Sequence, residues 1–276
     1  MKRDILIPID NNANISADFY NSNEDAAPLI IFVHGFKGFK DWGGFPFLLE
    51  KLSTSGYSAV SFNFSFNGVS KENPTEFTRL DLFAQNTFSR ELKELGLVID
   101  HFYSKSNHYR IDKNRIALIG HSRGGGISIL KASSDKRIKF LVTLSSVSGF
   151  DRYSDKLKQQ WKKHGYIEVE NARTKQMMRM NVSMLEDIEK NRDRLDIVSA
   201  ISRLKIPVLL VHGREDLAVK HTEAEELYNN SDKKLTELFL VENTGHTFGV
   251  VHPFEGTTKP FETVIEKIKR FLKAHL

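Results

Sequence analysis

The sequence predicts an α/β protein: a mostly parallel sheet with helices on both faces, an antiparallel hairpin at its start and a small helical insertion. Three observations carry this. Six short runs, residues 29–33, 58–62, 115–119, 140–144, 208–211 and 238–241, are near-continuously apolar and rich in β-branched side chains, as strands buried on both faces should be. Stretches with helical spacing lie between them, most clearly 88–103, where Leu92, Leu95, Val98, Ile99 and Phe102 share one face. A single long stretch, residues 150–203, interrupts the alternation.

Taken in order, Ile5, Ile7 and Ile9 recur at every second position, Asp10-Asn11-Asn12 supplies turn residues, and residues 15–20 follow as the second strand. That is the pattern of an antiparallel hairpin at one edge of a sheet. Strand then alternates with helix, which requires parallel strands and crossover connections. The last helix is expected over 261–272, with Val264, Ile265, Ile268, Phe271 and Leu272 on its apolar face. Within 150–203 no buried strand is evident, and residues 155–164 and 182–192 read as charged amphipathic helices. Four of the five methionines, Met177, Met178, Met180 and Met184, fall in this stretch and read as packing between the insertion and the core. Residues 1–276 are therefore read as a single domain, with 150–203 as a helical cap insertion within it.

A chain of 276 residues with 40% hydrophobic and 27% charged side chains can bury a large core, which excludes collagen-like and wholly disordered classes. It has no cysteine, so disulfides, a thiolate nucleophile and cysteine-ligated metals are excluded. Lys and Arg (40) exceed Asp and Glu (35) by five, but they are spread along the chain, and no nucleic-acid partner is expected. No apolar stretch approaches a membrane span, and the apolar run in residues 1–10 is too short for a signal-peptide core. The expectation is a cytoplasmic protein with no membrane partner.

Gly120-His121-Ser122-Arg123-Gly124 directly follows the strand ending at Ile119 and precedes a helical stretch from Ile127. Strand, tight turn and helix are what a nucleophile elbow needs to present a serine hydroxyl at the sheet edge. A serine needs a general base to take its proton, and a third group to hold that base in the right tautomer. Asp216 lies in the loop after the run 208–211, with Glu215 as the neighbouring alternative, and His246 lies in the loop after 238–241. Ser122, Asp216 and His246 thus fall in the order serine, acid, histidine, each past the carboxyl end of a strand. Acyl transfer also needs donors for the developing oxyanion. The backbone N–H groups of Phe36, after the strand 29–33, and Arg123, next to the serine, are the candidates. His34 reads as a brace for that loop and His212 as a strand-end structural residue. The aromatics Phe36, Phe39, Trp42, Phe45, Phe47 and Phe248 are candidates for an apolar rim, and Arg123 and Arg214 for acidic-group recognition.

In the His34-Gly35-Phe36 turn, the Gly-His-Ser-Arg-Gly-Gly elbow, the placement of Asp216 and His246, and the insertion, the chain resembles an α/β-hydrolase over essentially its whole length. Its His34 to Trp42 segment is similar to bacterial cinnamoyl or feruloyl esterase-like carboxylesterases and their serine-peptidase-like relatives. The resemblance implies a serine hydrolase of carboxylic esters with small apolar or aromatic acyl groups. It further implies a small-molecule ester substrate, an acyl-enzyme intermediate, and no metal or organic cofactor. The same triad would also serve an amide or peptide hydrolase, a thioester hydrolase or an acyltransferase, and a hydrolase fold can serve as a non-catalytic ligand binder. The oligomeric state is left open.

Overall fold

The computed structural model describes residues 2–10 and 13–275, so Asn11 and Asn12 of the expected turn lie outside the described residues. An eight-stranded sheet runs through the molecule. It starts with β1 (Lys2–Asp10) and β2 (Ala13–Tyr20), an antiparallel pair in register from Lys2 opposite Tyr20 to Pro8 opposite Asn14, with a shift before Asp10 pairs with Ala13. Next come β3 (Ala27–Val33), α1 (Phe45–Ser53), β4 (Ser58–Phe62), α2 (Leu80–Ala84), α3 (Phe88–Ser104), α4 (Ser106–Tyr109), β5 (Ile111–His121), α5 (Arg123–Ser134) and β6 (Ile138–Leu144). After the insertion follow β9 (Val208–Gly213), α9 (His221–Asn230), β10 (Thr236–Val241) and α10 (Lys259–His275). The strand order is β1-β2-β4-β3-β5-β6-β9-β10; β2 pairs antiparallel with β4, and every later pairing is parallel.

The strand β3 shows why the runs are apolar throughout. Leu29, Ile31 and Val33 face a core shared with α3 and α5, whereas Ile30 and Phe32 face a second core made with α1 and α10. Successive side chains point to opposite faces, so a strand covered on both must be apolar at every position. Each such Leu, Ile or Phe contributes about 1.5–3 kcal/mol relative to exposure. The helix α10 presents Phe261, Val264, Ile265, Ile268, Phe271 and Leu272 to the second core, the face expected from its spacing.

Between β6 and β9 the insertion holds α6 (Asp155–His164), β7 (Tyr166–Glu170), β8 (Met177–Asn181), α7 (Ser183–Lys190) and α8 (Ile197–Ser202). The two-stranded antiparallel β7–β8 is a departure from the all-helical expectation. Its strands are half-exposed and short, so they lack the continuous apolar run that marks a central strand; Met178 and Met180 face inward while Met177 and Arg179 face out. The indole of Trp161, fully buried on α6, donates to the Met180 carbonyl at 3.0 Å and fixes the hairpin to the helix. The bonds that tie the insertion to the main body include Lys37 Nζ to Glu170 O, Gln176 Nε2 to Phe77 O, and Ser89 N to Asp187 Oδ2.

Candidate active site

Ser122 sits between β5 and α5 at φ 57°, ψ −121°, a conformation that costs a non-glycine residue of order 1–3 kcal/mol. The surroundings enforce it. The Ser122 amide donates to Leu144 O at 2.8 Å and its carbonyl accepts from Gly125 N at 3.0 Å. A Cβ on Gly124 would lie 2.2 Å from Val33 O, and one on Gly35 would lie 2.9 Å from Ser122 Cβ. These glycines let three backbone segments close around the serine.

Asp216 is buried in the turn after β9, where its own amide donates to Gly213 O. Its Oδ1 accepts from the Ala218 and Val219 amides, each at 2.9 Å, and its Oδ2 accepts from His246 Nδ1 at 2.7 Å. Burial alone would raise this carboxyl. The hydrogen bonds and the adjacent imidazoles outweigh burial and hold Asp216 well below the ordinary carboxylate range. Glu215, the alternative acid, is exposed. With Nδ1 donating to Asp216, the free nitrogen of His246 is Nε2, and His246 lines the same cavity as Ser122. No hydrogen bond joins Ser122 Oγ to His246 among the described residues; such bonds commonly tighten only when substrate is bound.

That cavity has a volume of about 380 Å³ and is lined by Ser122, His246, Phe36 and Arg123, with Phe88, Phe150 and Tyr153 among its aromatic walls. The Phe36 and Arg123 amides donate to no partner among the described residues. The structure therefore brings Phe36, Ser122, Arg123 and His246 to one cavity, with Asp216 directly behind His246. Of the six aromatics proposed for the rim, only Phe36 lines it. Phe39, Phe45 and Phe248 are buried in the cores, and Phe47 packs on Phe254 outside it. Arg214 is also elsewhere, paired with Glu242 at 2.6 Å.

Three histidines brace the site. His34 accepts from the Phe64 amide at 3.3 Å through Nε2 and donates to Gly35 O at 2.9 Å, joining the loops after β3 and β4. Burial, with Arg123 nearby, lowers it to about 4. His121 packs against His246 with ring centroids 4.7 Å apart and donates to His246 O at 3.1 Å; burial and the neighbouring imidazole lower it to about 3. His212, read from sequence as a strand-end residue, does more: its Nε2 donates to Val219 O at 2.9 Å and lies 3.2 Å from Asp216 Oδ2. The sequence signal was weak, a histidine four positions ahead of the acid at a strand end.

Among the described residues no three His, Asp or Glu side chains converge as ligands for a metal ion, and no helix is long and apolar enough to cross a membrane. A serine on a strained elbow, a buried aspartate–histidine pair and free amides beside them define the hydrolase class to which this fold and site correspond. The chain belongs to the BD-FAE family, an esterase-type α/β-hydrolase family, whose model matches residues 18–230. It is 25% identical to YitV of Bacillus subtilis, named as a candidate esterase, over 77% of both chains. It is 28% identical over 134 residues to the quorum-quenching protein AidA of Acinetobacter baumannii, a match spanning 48% of this chain and 40% of that one. In structure it is similar to Est1E from Butyrivibrio proteoclasticus in its ferulic acid complex (TM-score 0.72, 18% identity, 98% of both chains covered). It is also similar to the α/β-hydrolase GrgF from Penicillium (TM-score 0.76, 14% identity, 100% and 99% covered). At these identities the structural likeness establishes the fold.

Proposed function

We propose that this hydrolase is a serine esterase that cleaves carboxylic esters through an acyl-enzyme. The observation that carries the reading is the buried Asp216–His246 hydrogen bond at 2.7 Å on the wall of the cavity that holds Ser122. His246 Nε2 takes the Ser122 hydroxyl proton as Oγ attacks the ester carbonyl, and the Phe36 and Arg123 amides receive the oxyanion. The tetrahedral intermediate collapses with loss of the alkoxide, which leaves as alcohol with the proton from His246. Water, deprotonated by His246, then attacks the acyl-enzyme, and Ser122 recovers its proton as the acid departs. Asp216, ionised by its donors, keeps His246 in the Nδ1–H tautomer and stabilises the imidazolium.

Phe36, Phe88, Phe150 and Tyr153 suit an apolar or aromatic acyl group, and residues 150–203 act as the cap that supplies the last two. The aromatic acid held by Est1E is of this chemical kind. The test is hydrolysis of p-nitrophenyl esters of graded acyl length by the wild type and by Ser122→Ala, both folded by circular dichroism. The expected outcome is turnover of short esters by the wild type and a loss of at least about a thousandfold in the variant. Equal inactivity of both proteins on every ester would sink the reading.

A further inference from the structure

Beyond the machinery of acyl transfer, the cavity carries more positive charge than an ester carbonyl needs. Its lining includes Lys37, Arg123 and Arg152 and no carboxylate. Arg152 is spent, since one of its nitrogens reaches both oxygens of Glu223 at 2.7 and 2.5 Å. The other two are not.

The Arg123 side chain is 9% exposed, so its guanidinium sits almost wholly out of bulk water. It is wedged over the rings of Phe36 and Phe88, at 4.1 and 4.7 Å, which fix its plane. Its single hydrogen bond is a long one, 3.2 Å from Nη1 to Glu91 Oε1, and that oxygen is shared with Asn86 Nδ2 at 2.7 Å. A guanidinium offers five N–H donors, and the remaining ones have no partner among the described residues. Lys37 lines the same cavity on a left-handed backbone, φ 54°, with its ammonium 5.4 Å from the Phe36 ring centroid. Its ammonium donates to the Glu170 carbonyl at 2.9 Å and has no carboxylate at ion-pair distance among the described residues. The unpartnered Arg123 nitrogens are not sealed in the interior but open on the cavity, where a carboxylate can meet them.

We infer that the cavity takes esters whose acyl group bears a carboxylate, that is, monoesters of dicarboxylic acids. Arg123 and Lys37 receive the free carboxylate while Ser122 attacks the ester carbonyl. The apolar walls then hold the carbon chain or ring between the two ends. The inference rests on the esterase reading above and narrows its substrate class.

The experiment compares monoethyl glutarate with ethyl pentanoate, which match in acyl carbon count and differ by the terminal carboxylate, with acid release followed at constant pH. The quantity read is the ratio of kcat/KM for the monoester over the neutral ester. The wild-type ratio is expected above one. In Lys37→Gln it should fall about tenfold, the size of a lost charge-assisted hydrogen bond. The double variant Arg123→Gln/Glu91→Gln, which removes the ion pair as a unit so that no buried charge is stranded, should fall by at least as much. A wild-type ratio of one or below, or a ratio that neither variant lowers, overturns the inference; if the double variant does not fold, Lys37→Gln alone decides. Turnover of ethyl pentanoate without preference for the monoester removes this inference only. Turnover of neither ethyl ester removes this inference, and the esterase reading falls with it only if the p-nitrophenyl esters are uncleaved too.

Discussion

Asp216 and Glu91 are both buried carboxylates set just behind the walls of one cavity, and they are held in opposite ways. Asp216 accepts from two backbone amides and from His246, with His212 Nε2 a further 3.2 Å away, and these donors keep it ionised against burial. Glu91 has Asn86 and one long contact to Arg123, both on Oε1, while its Oε2 has no partner; burial pushes its carboxyl up despite them. The difference teaches where this molecule keeps its polarity fixed. A base must be oriented identically in every turnover, so its carboxylate is saturated with rigid donors. A guanidinium proposed to meet a ligand gains from a partner that holds it loosely.

The sharpest way to break the first arrangement is Asp216→Asn. The amide can donate back to His246 and favour the wrong tautomer, so kcat is expected to fall about a thousandfold or more while the fold, checked by circular dichroism, persists. Acid is the next lever, acting on the bracing histidines. His34 and His121 are neutral in the fold, at about 4 and about 3, but take up protons near 6.5 when unfolded. Between pH 6.5 and about 4 the unfolded chain therefore binds more protons than the native one, and stability falls as pH falls. Going from pH 6.5 to 5 should cost about 1.6 kcal/mol per histidine, read from urea unfolding, with His34→Gln losing part of the slope. A stability flat across that window would mean that neither histidine is sealed.

His212→Ala sharpens the comparison further. It leaves the Asp216–His246 bond in place but removes the imidazole beneath it, and kcat is expected to fall about tenfold at nearly constant KM. An unchanged kcat would return His212 to a purely structural role. On the opposite wall the effect should appear in KM instead. Phe150 stacks on Phe88 with centroids 4.0 Å apart, so Phe150→Leu should raise KM for aromatic acyl esters by about threefold, the worth of one aromatic contact. If kcat falls rather than KM rising, the two walls are not separable in function.

The order of Ser122, Asp216 and His246 and the parallel sheet were legible in the linear chain. Each is a local property: a buried strand needs an unbroken apolar run, and an elbow needs small residues around one serine. The lining of the cavity was not legible. Phe36, Phe39 and Phe248 all sit in loops and Phe45 opens α1, yet Phe39, Phe45 and Phe248 entered the cores and Phe36 reached the cavity, because the docking of those segments decides which side a ring faces. The pairing of Arg123 with Glu91, 32 positions apart, the approach of His212 to Asp216, and the β7–β8 hairpin that offers Glu170 to Lys37 depend on how separate segments dock. Periodicity records which residues seek an interior. Contacts between distant segments are set by packing in three dimensions.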